Sequence, residues 1–210
     1  MTQYGLKAVD NNGNSLFMAT NESYVFLKSV KINGSGVIVT GISTSESPPM
    51  VFSRVSSFDY NDSQNIIITN GDGEYKIQCN MPQSITSEHF IFVTSSKHNQ
   101  IHPRKWGVKI FDENGRLSHA SSMTPLSINR TAGYSNNSNI NVGVPCACLV
   151  RIQGFFVVQS PQNNGFMTYR SMALGVGNTI RSGNQIIGRG GSPQGAIDPV
   201  VHYIDTRNYK

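Results

Sequence analysis

Charge is scarce in this 210-residue chain: Asp, Glu, Lys and Arg together make up 14% of it. The 17 basic residues exceed the 12 acidic ones by 17 − 12 = 5, and they are scattered, with Lys97, Arg104 and Lys105 as the only local cluster. Nucleic-acid recognition usually needs a denser basic stripe with interleaved aromatics, so no nucleic-acid partner is expected. Cysteine is scarcer still, at three residues. An odd count in a chain made in a reducing compartment argues against a disulfide framework. Cys146 and Cys148 have no second Cys or His pair at zinc-ligand spacing, so no metal is expected, and nothing in the sequence points to any other cofactor. If the segment around them is a strand, both thiols lie on one face and read as small buried hydrophobes. Long apolar runs are missing too. Val144 to Ile152 is short and broken by Arg151, well below the ~18 residues of a membrane span, so no membrane insertion is expected. The opening residues show no basic region followed by an apolar run, which leads us to expect synthesis in the cytoplasm rather than secretion.

Catalytic signatures are equally lacking. There is no Gly-x-Ser-x-Gly elbow, no His-Glu-x-x-His, no P-loop and no complete dinucleotide fingerprint, since Gly175-Val-Gly177 has no third glycine or βαβ setting. Asp10 and Asp112 stand just before Asn-Gly turns, where a carboxylate accepts backbone N–H bonds, so turn chemistry accounts for them. His98 and His102 have the four-residue spacing that a helix would align. Pro103 and the polar surroundings favour a solvated linker instead. His89, His119 and His202 suggest no role. The expectation is a protein that is not an enzyme.

Turn formers and short apolar stretches are abundant. Twenty glycines and nine prolines, with many Asn and Ser, separate period-2 segments such as Tyr24–Ile32, Gly36–Ile42 and Asn65–Thr69. No window holds a helical apolar pattern over a dozen residues, so the expected class is all-β. One motif occurs twice: Tyr4-Gly-Leu-Lys-Ala-Val-Asp-Asn-Asn-Gly13 returns as Trp106-Gly-Val-Lys-Ile-Phe-Asp-Glu-Asn-Gly115, shifted by 106 − 4 = 102 residues. Each copy alternates and ends in Asn-Gly, the mark of a β-hairpin. The repeat suggests two consecutive β-sandwich-like domains, residues 1–102 and 103–210, with Ser95–Lys105 as the boundary. A glycine-rich segment, 175–199, is expected to be either a long loop before a last strand at Val200–Asp205 or an arm along a neighbouring subunit. In the loop Thr131-Ala-Gly-Tyr-Ser-Asn-Asn-Ser, Tyr134 has no periodic apolar neighbours. Tyr134, Asn136 and Asn137 are therefore the candidate binding residues, on an outward-facing loop.

The doubled hairpin, with Thr-Pro-Leu-Ser-Ile after the second copy, His89-Phe-Ile-Phe-Val before it and Cys146-Ala-Cys-Leu-Val-Arg-Ile beyond it, resembles a family of tailed-bacteriophage tail proteins of roughly two hundred residues. Those proteins similarly open with a Tyr-Gly-Leu hairpin and repeat it near mid-chain. Only the two hairpins match residue by residue. Leu-Ser-His-Ala-Ser replaces the aromatic and acidic residues usual in the second hairpin strand, and the segment after Gly175 has no counterpart. The resemblance implies a structural role in the virion, at the tail tip, baseplate or fibre, with synthesis in the bacterial host cytoplasm. Its partners would be other phage tail proteins, further copies of the chain as a homo-oligomer, and a host-surface glycan or protein. A capsid decoration or tail-adaptor protein is the alternative, followed by a cellular glycan-binding module.

Overall fold

A computed structural model describes the chain except for residues 1–6, 10–14, 19–22, 58–64, 104–106, 113–114, 136–137, 160–165 and 190–196. For residues 7–9, 15–18, 155–156, 158–159 and 184–189 it describes the backbone alone. The fold is all-β. Its strands are β1 Lys7–Val9, β2 Ser15–Met18, β3 Tyr24–Asn33, β4 Gly36–Ser43, β5 Met50–Val55, β6 Asn65–Gly71, β7 Glu74–Asn80 and β8 Thr86–Thr94, then, after helix α1 Ser95–Ile101, β9 Lys109–Phe111, β10 Leu117–Ala120, β11 Asn129–Thr131, β12 Asn139–Asn141, β13 Cys146–Leu149, β14 Ile152–Gln159, β15 Phe166–Val176, β16 Thr179–Arg189 and β17 Val201–Asp205.

Local chemistry explains the hairpins. Between β6 and β7 the pair Gly71↔Glu74 closes around Asp72 and Gly73, at φ 55° and 77°, the two positive angles of a type I′ turn. The doubled motif forms two hairpins with one register. Lys7↔Met18, Ala8↔Phe17 and Val9↔Ser15 in β1–β2 become Lys109↔Ala120, Ile110↔His119 and Phe111↔Leu117 in β9–β10, each shifted by the same 102 residues, including the bulge. Asp112 acts as expected of a turn carboxylate: its Oδ1 accepts the Arg116 N–H at 2.8 Å and its Oδ2 the Arg116 Nε–H at 2.8 Å. Asp10 lies outside the described residues.

The strands do not divide at residue 102, which corrects the expectation of two consecutive units. The largest sheet runs β11–β17–β13–β5, continues from β5 through β8 to β3, and joins β14, β15, β16 and β12 through one parallel pair, Gly175↔Arg54. It therefore mixes strands from both sides of the expected boundary. The reason lies in β5, where Val51, Phe52, Ser53 and Val55 are all buried, so the strand needs cover on both faces and partners on both edges. One edge pairs with β8, the other with β13 through Cys148↔Ser53 and Leu149↔Phe52. A smaller sheet, β4–β7–β6, packs through Ile38, Ile66, Ile77 and Cys79 against Val51, Val55, Ile91 and Leu174. On the opposite side Phe52, Phe90 and Phe92 gather with Ala147, Ile204 and Tyr209, and the Tyr209 ring meets Phe92 edge-on at 4.9 Å.

Two further expectations change. Ser95 to Ile101 is a helix rather than a loop, because the Thr94 side chain caps it by accepting the Lys97 N–H and Pro103 stands just beyond its end. His98 is buried on this helix and its ring lies 5.3 Å from that of His102, the residue that ends it. The glycine-rich segment opens with the end of β15, and its residues Thr179–Arg189 form β16, paired with β15 from Val176↔Thr179 to Met167↔Arg189, where a loop or an arm was expected; the last strand, β17, falls as expected. Gly175 is required by proximity, since a Cβ there would stand 2.1 Å from the Cys146 carbonyl oxygen. Gly175→Ala is expected to destabilise the fold by about 3 kcal/mol or more, because backbone cannot yield as a side-chain tip can. A urea-unfolding midpoint indistinguishable from that of the parent would contradict this.

Candidate functional site

The outer face of the β4–β7–β6 sheet borders a polar groove. Alternation sends Ile38, Ile66, Ile68, Ile77 and Cys79 into the core. Their neighbours Val37, Gln78, Asn80, Asn65 and Ile67 must then face outward. Register aligns them in two rows, Asn65↔Asn80 with Ser35 beyond, and Ile67↔Gln78↔Val37. The Ser35 hydroxyl donates to Asn80 Oδ1 at 2.9 Å, which fixes that amide on the rim.

Arg170 closes the groove from another sheet. On β15 it follows the parity of Leu174, which lies in the core beneath β6, and of Met172, whose sulfur accepts the Ile66 N–H at 3.4 Å. Arg170 stands one step beyond them, where the apolar core ends. It makes no ion pair among the described residues, its Nε is buried without a partner there, and burial lowers its pKa from the ordinary arginine value. Together Ser35, Gly36, Val37, Asn65, Ile67, Gln78, Asn80 and Arg170 border about 370 Å³.

A second cleft, of about 270 Å³, is occupied by its own ions. Glu88 receives Arg54 Nη2 at 2.5 Å and Nε at 2.7 Å, with Lys31 Nζ at 3.6 Å. The remaining reach of Arg54 goes to Thr206 Oγ1 at 3.0 Å and to the Phe90 face, 5.6 Å from the ring centre. Every strong group there already has a partner within the chain. The cleft is a tie between β3, β5, β8 and the C-terminus.

Tyr134, expected to bind on an outward-facing loop, is instead buried. It is only 4% exposed and packs with Cys146, Cys148, Ala173, Ile180 and Val201, while its hydroxyl lies 2.8 Å from Ser171 Oγ. Its apolar neighbours come from strands distant in sequence, which a local window cannot reveal. Asn136 and Asn137 lie outside the described residues. Cys146 and Cys148 are buried on one face, as alternation requires. Among the described residues no group of three His, Cys, Asp or Glu side chains gathers as for a metal.

His89, which suggested nothing in sequence, sits inside the layer between sheets. Its Nδ1 lies 2.8 Å from Ser53 Oγ and its Nε2 3.0 Å from Ser87 Oγ, which in turn lies 3.4 Å from Cys79 Sγ. The order Ser-His-Ser resembles a nucleophile relay, but His89, Ser53 and Ser87 are fully buried and Cys79 nearly so. Such a chain satisfies core polar groups and offers no surface to a substrate. The signal was present in the alternation Ser87, His89, Ile91, Val93 along one face of β8. Arg170 was similarly legible as a charge on the core parity of β15.

Comparison with family models, with curated proteins and with solved structures finds no match.

Burial lowers the His89 pKa to about 4, against a small opposing pull from Glu88. The unfolded chain takes up a proton below about pH 6.5 and the folded chain only below about 4, so stability is full above that window and falls as pH drops through it. The loss should approach about 3 kcal/mol by pH 4, with His119, also lowered by burial, acting in the same direction. His89→Gln should flatten the dependence of the urea midpoint between pH 6.5 and 4. An unchanged slope would show that other groups carry it.

Proposed function

We propose that this protein is a non-enzymatic structural component of a bacteriophage tail, at the tip, baseplate or fibre, which assembles with other tail proteins and with copies of itself. The observation that carries this reading is the doubled hairpin. Its two copies agree in sequence and repeat every backbone pair at one shift, bulge included, and they are the segments that resemble phage tail proteins residue by residue. The polar groups that most resemble catalytic machinery are either sealed in the core, as at His89, or consumed in internal ion pairs, as at Glu88. That distribution suits a scaffold better than a catalyst.

Self-assembly has a candidate edge in β4. This strand ends its sheet, and Gly-Val-Ile-Val-Thr-Gly-Ile-Ser contains no charge to discourage pairing. Val37 and Val39 on its outer face are 60% and 52% exposed. If copies add strand to strand here, individual contacts can be weak, because display of many copies on one particle multiplies them.

Sedimentation of the purified chain should show mass rising with concentration, and Val39→Lys should shift it toward the monomer with little change in melting temperature. Antibody labelling of particles should mark the tail. A chain that stays monomeric at millimolar concentration and labels no part of the particle would overturn the proposal; labelling on the head lattice would turn it into a decoration protein.

A further inference from the structure

We propose that the groove between β4–β7–β6 and Arg170 binds an acidic saccharide, a sugar unit bearing one carboxylate or phosphate group. This goes beyond a structural role and does not depend on where the chain resides. The central observation is an arginine from one sheet bordering the same groove as the amides of Asn65, Gln78 and Asn80 from another. An arginine built into the edge of a core normally meets a carboxylate, as Arg54 meets Glu88 and Arg151 meets Asp198. Arg170 meets none among the described residues, and its neighbours in the groove are neutral. Its planar fork matches a carboxylate or phosphate in a two-point contact.

The remaining lining selects the rest of the ligand. Gln78 and Asn65 supply amides that both donate and accept, the pattern that vicinal sugar hydroxyls complement, with Asn80, held by Ser35, on the rim. Val37 and Ile67 flank them in the second row, apolar surface suited to the C–H edges of a pyranose. A nucleobase would favour an aromatic platform, and none borders this groove among the described residues. Asn65 adds preorganisation: it lies on the outward parity yet is buried at 5% exposure, so it is already partly desolvated before a ligand arrives.

Titration of the full-length chain with a trisaccharide of hexuronic acid, by NMR or calorimetry, should give saturable binding in the millimolar range. The neutral hexose trisaccharide should bind about tenfold to a hundredfold more weakly, the range expected for loss of one charge-assisted contact. A phosphorylated hexose trisaccharide separates the two anion sources, the tighter of the two naming the group that fits. Arg170→Met should reduce binding to the level of the neutral sugar. Because Arg170 borders the core, Gln78→Glu on the exposed row provides a second variant: it sets a carboxylate in the groove that Arg170 borders and should abolish binding while leaving the melting temperature unchanged. Equal binding of charged and neutral sugars, no saturation at tens of millimolar, or full binding by the Gln78→Glu protein would each overturn the assignment.

Discussion

Strand β5 holds the molecule together. It is six residues long, is covered on both faces and takes a neighbour from each half of the chain, β8 on one edge and β13 on the other. Its inward residues Val51 and Val55 support the smaller sheet, and Phe52 on the reverse anchors the aromatic cluster completed by Tyr209 near the C-terminus. Arg54 at its end ties Glu88 and Thr206 together and stands opposite Gly175. Apolar residues on both faces oblige the chain to cover both sides, and unpaired backbone on either edge obliges it to recruit two strands. The second half is therefore woven around the first rather than placed beside it.

That weaving decides what chemistry the surface offers. Several polar groups drawn into the layers are satisfied there: His89 between two serines, Tyr134 against Ser171, Glu88 between Arg54 and Lys31. Facing outward is the polar face of β4–β7–β6, with Arg170 bordering its groove. The groove exists because two sheets of different size meet, and the smaller one ends before β15 does. A guanidinium at that step has lost part of its hydration without gaining a partner among the described residues.

Assembly and recognition would then use different parts of one sheet. The edge of β4 offers backbone groups to another strand, whereas the groove uses side chains from the interior of the face. Val37 belongs to both regions, so a neighbour seated on the edge would also border the sugar site. A weak single-site contact and a multivalent particle are compatible, because copies held in one array raise the effective concentration of every site.

Strands and tight turns were legible from the residues because their causes are local. Alternation at Tyr24–Ile32, the Asn-Gly-Asp-Gly turn before β7 and the doubled hairpin each state their geometry within a dozen residues. The helix at Ser95 was hidden because its seven residues, polar except for Ile101, show no apolar face, and its cap Thr94 reads equally well as the end of a strand. Tyr134 was misplaced for the opposite reason: its loop is locally polar, while its core neighbours arrive from β13, β15, β16 and β17. Arg170 and His89 carried faint signals as polar residues on buried parity, but parity does not say what waits across the layer. Sequence by itself determined the class, the hairpins and their register, since these depend on contacts a few residues apart. Only the tertiary structure decided which strands share a sheet, which polar groups are spent in the core and which arginine is left facing a groove, because those contacts join residues a hundred positions apart through packing that no single stretch of chain contains.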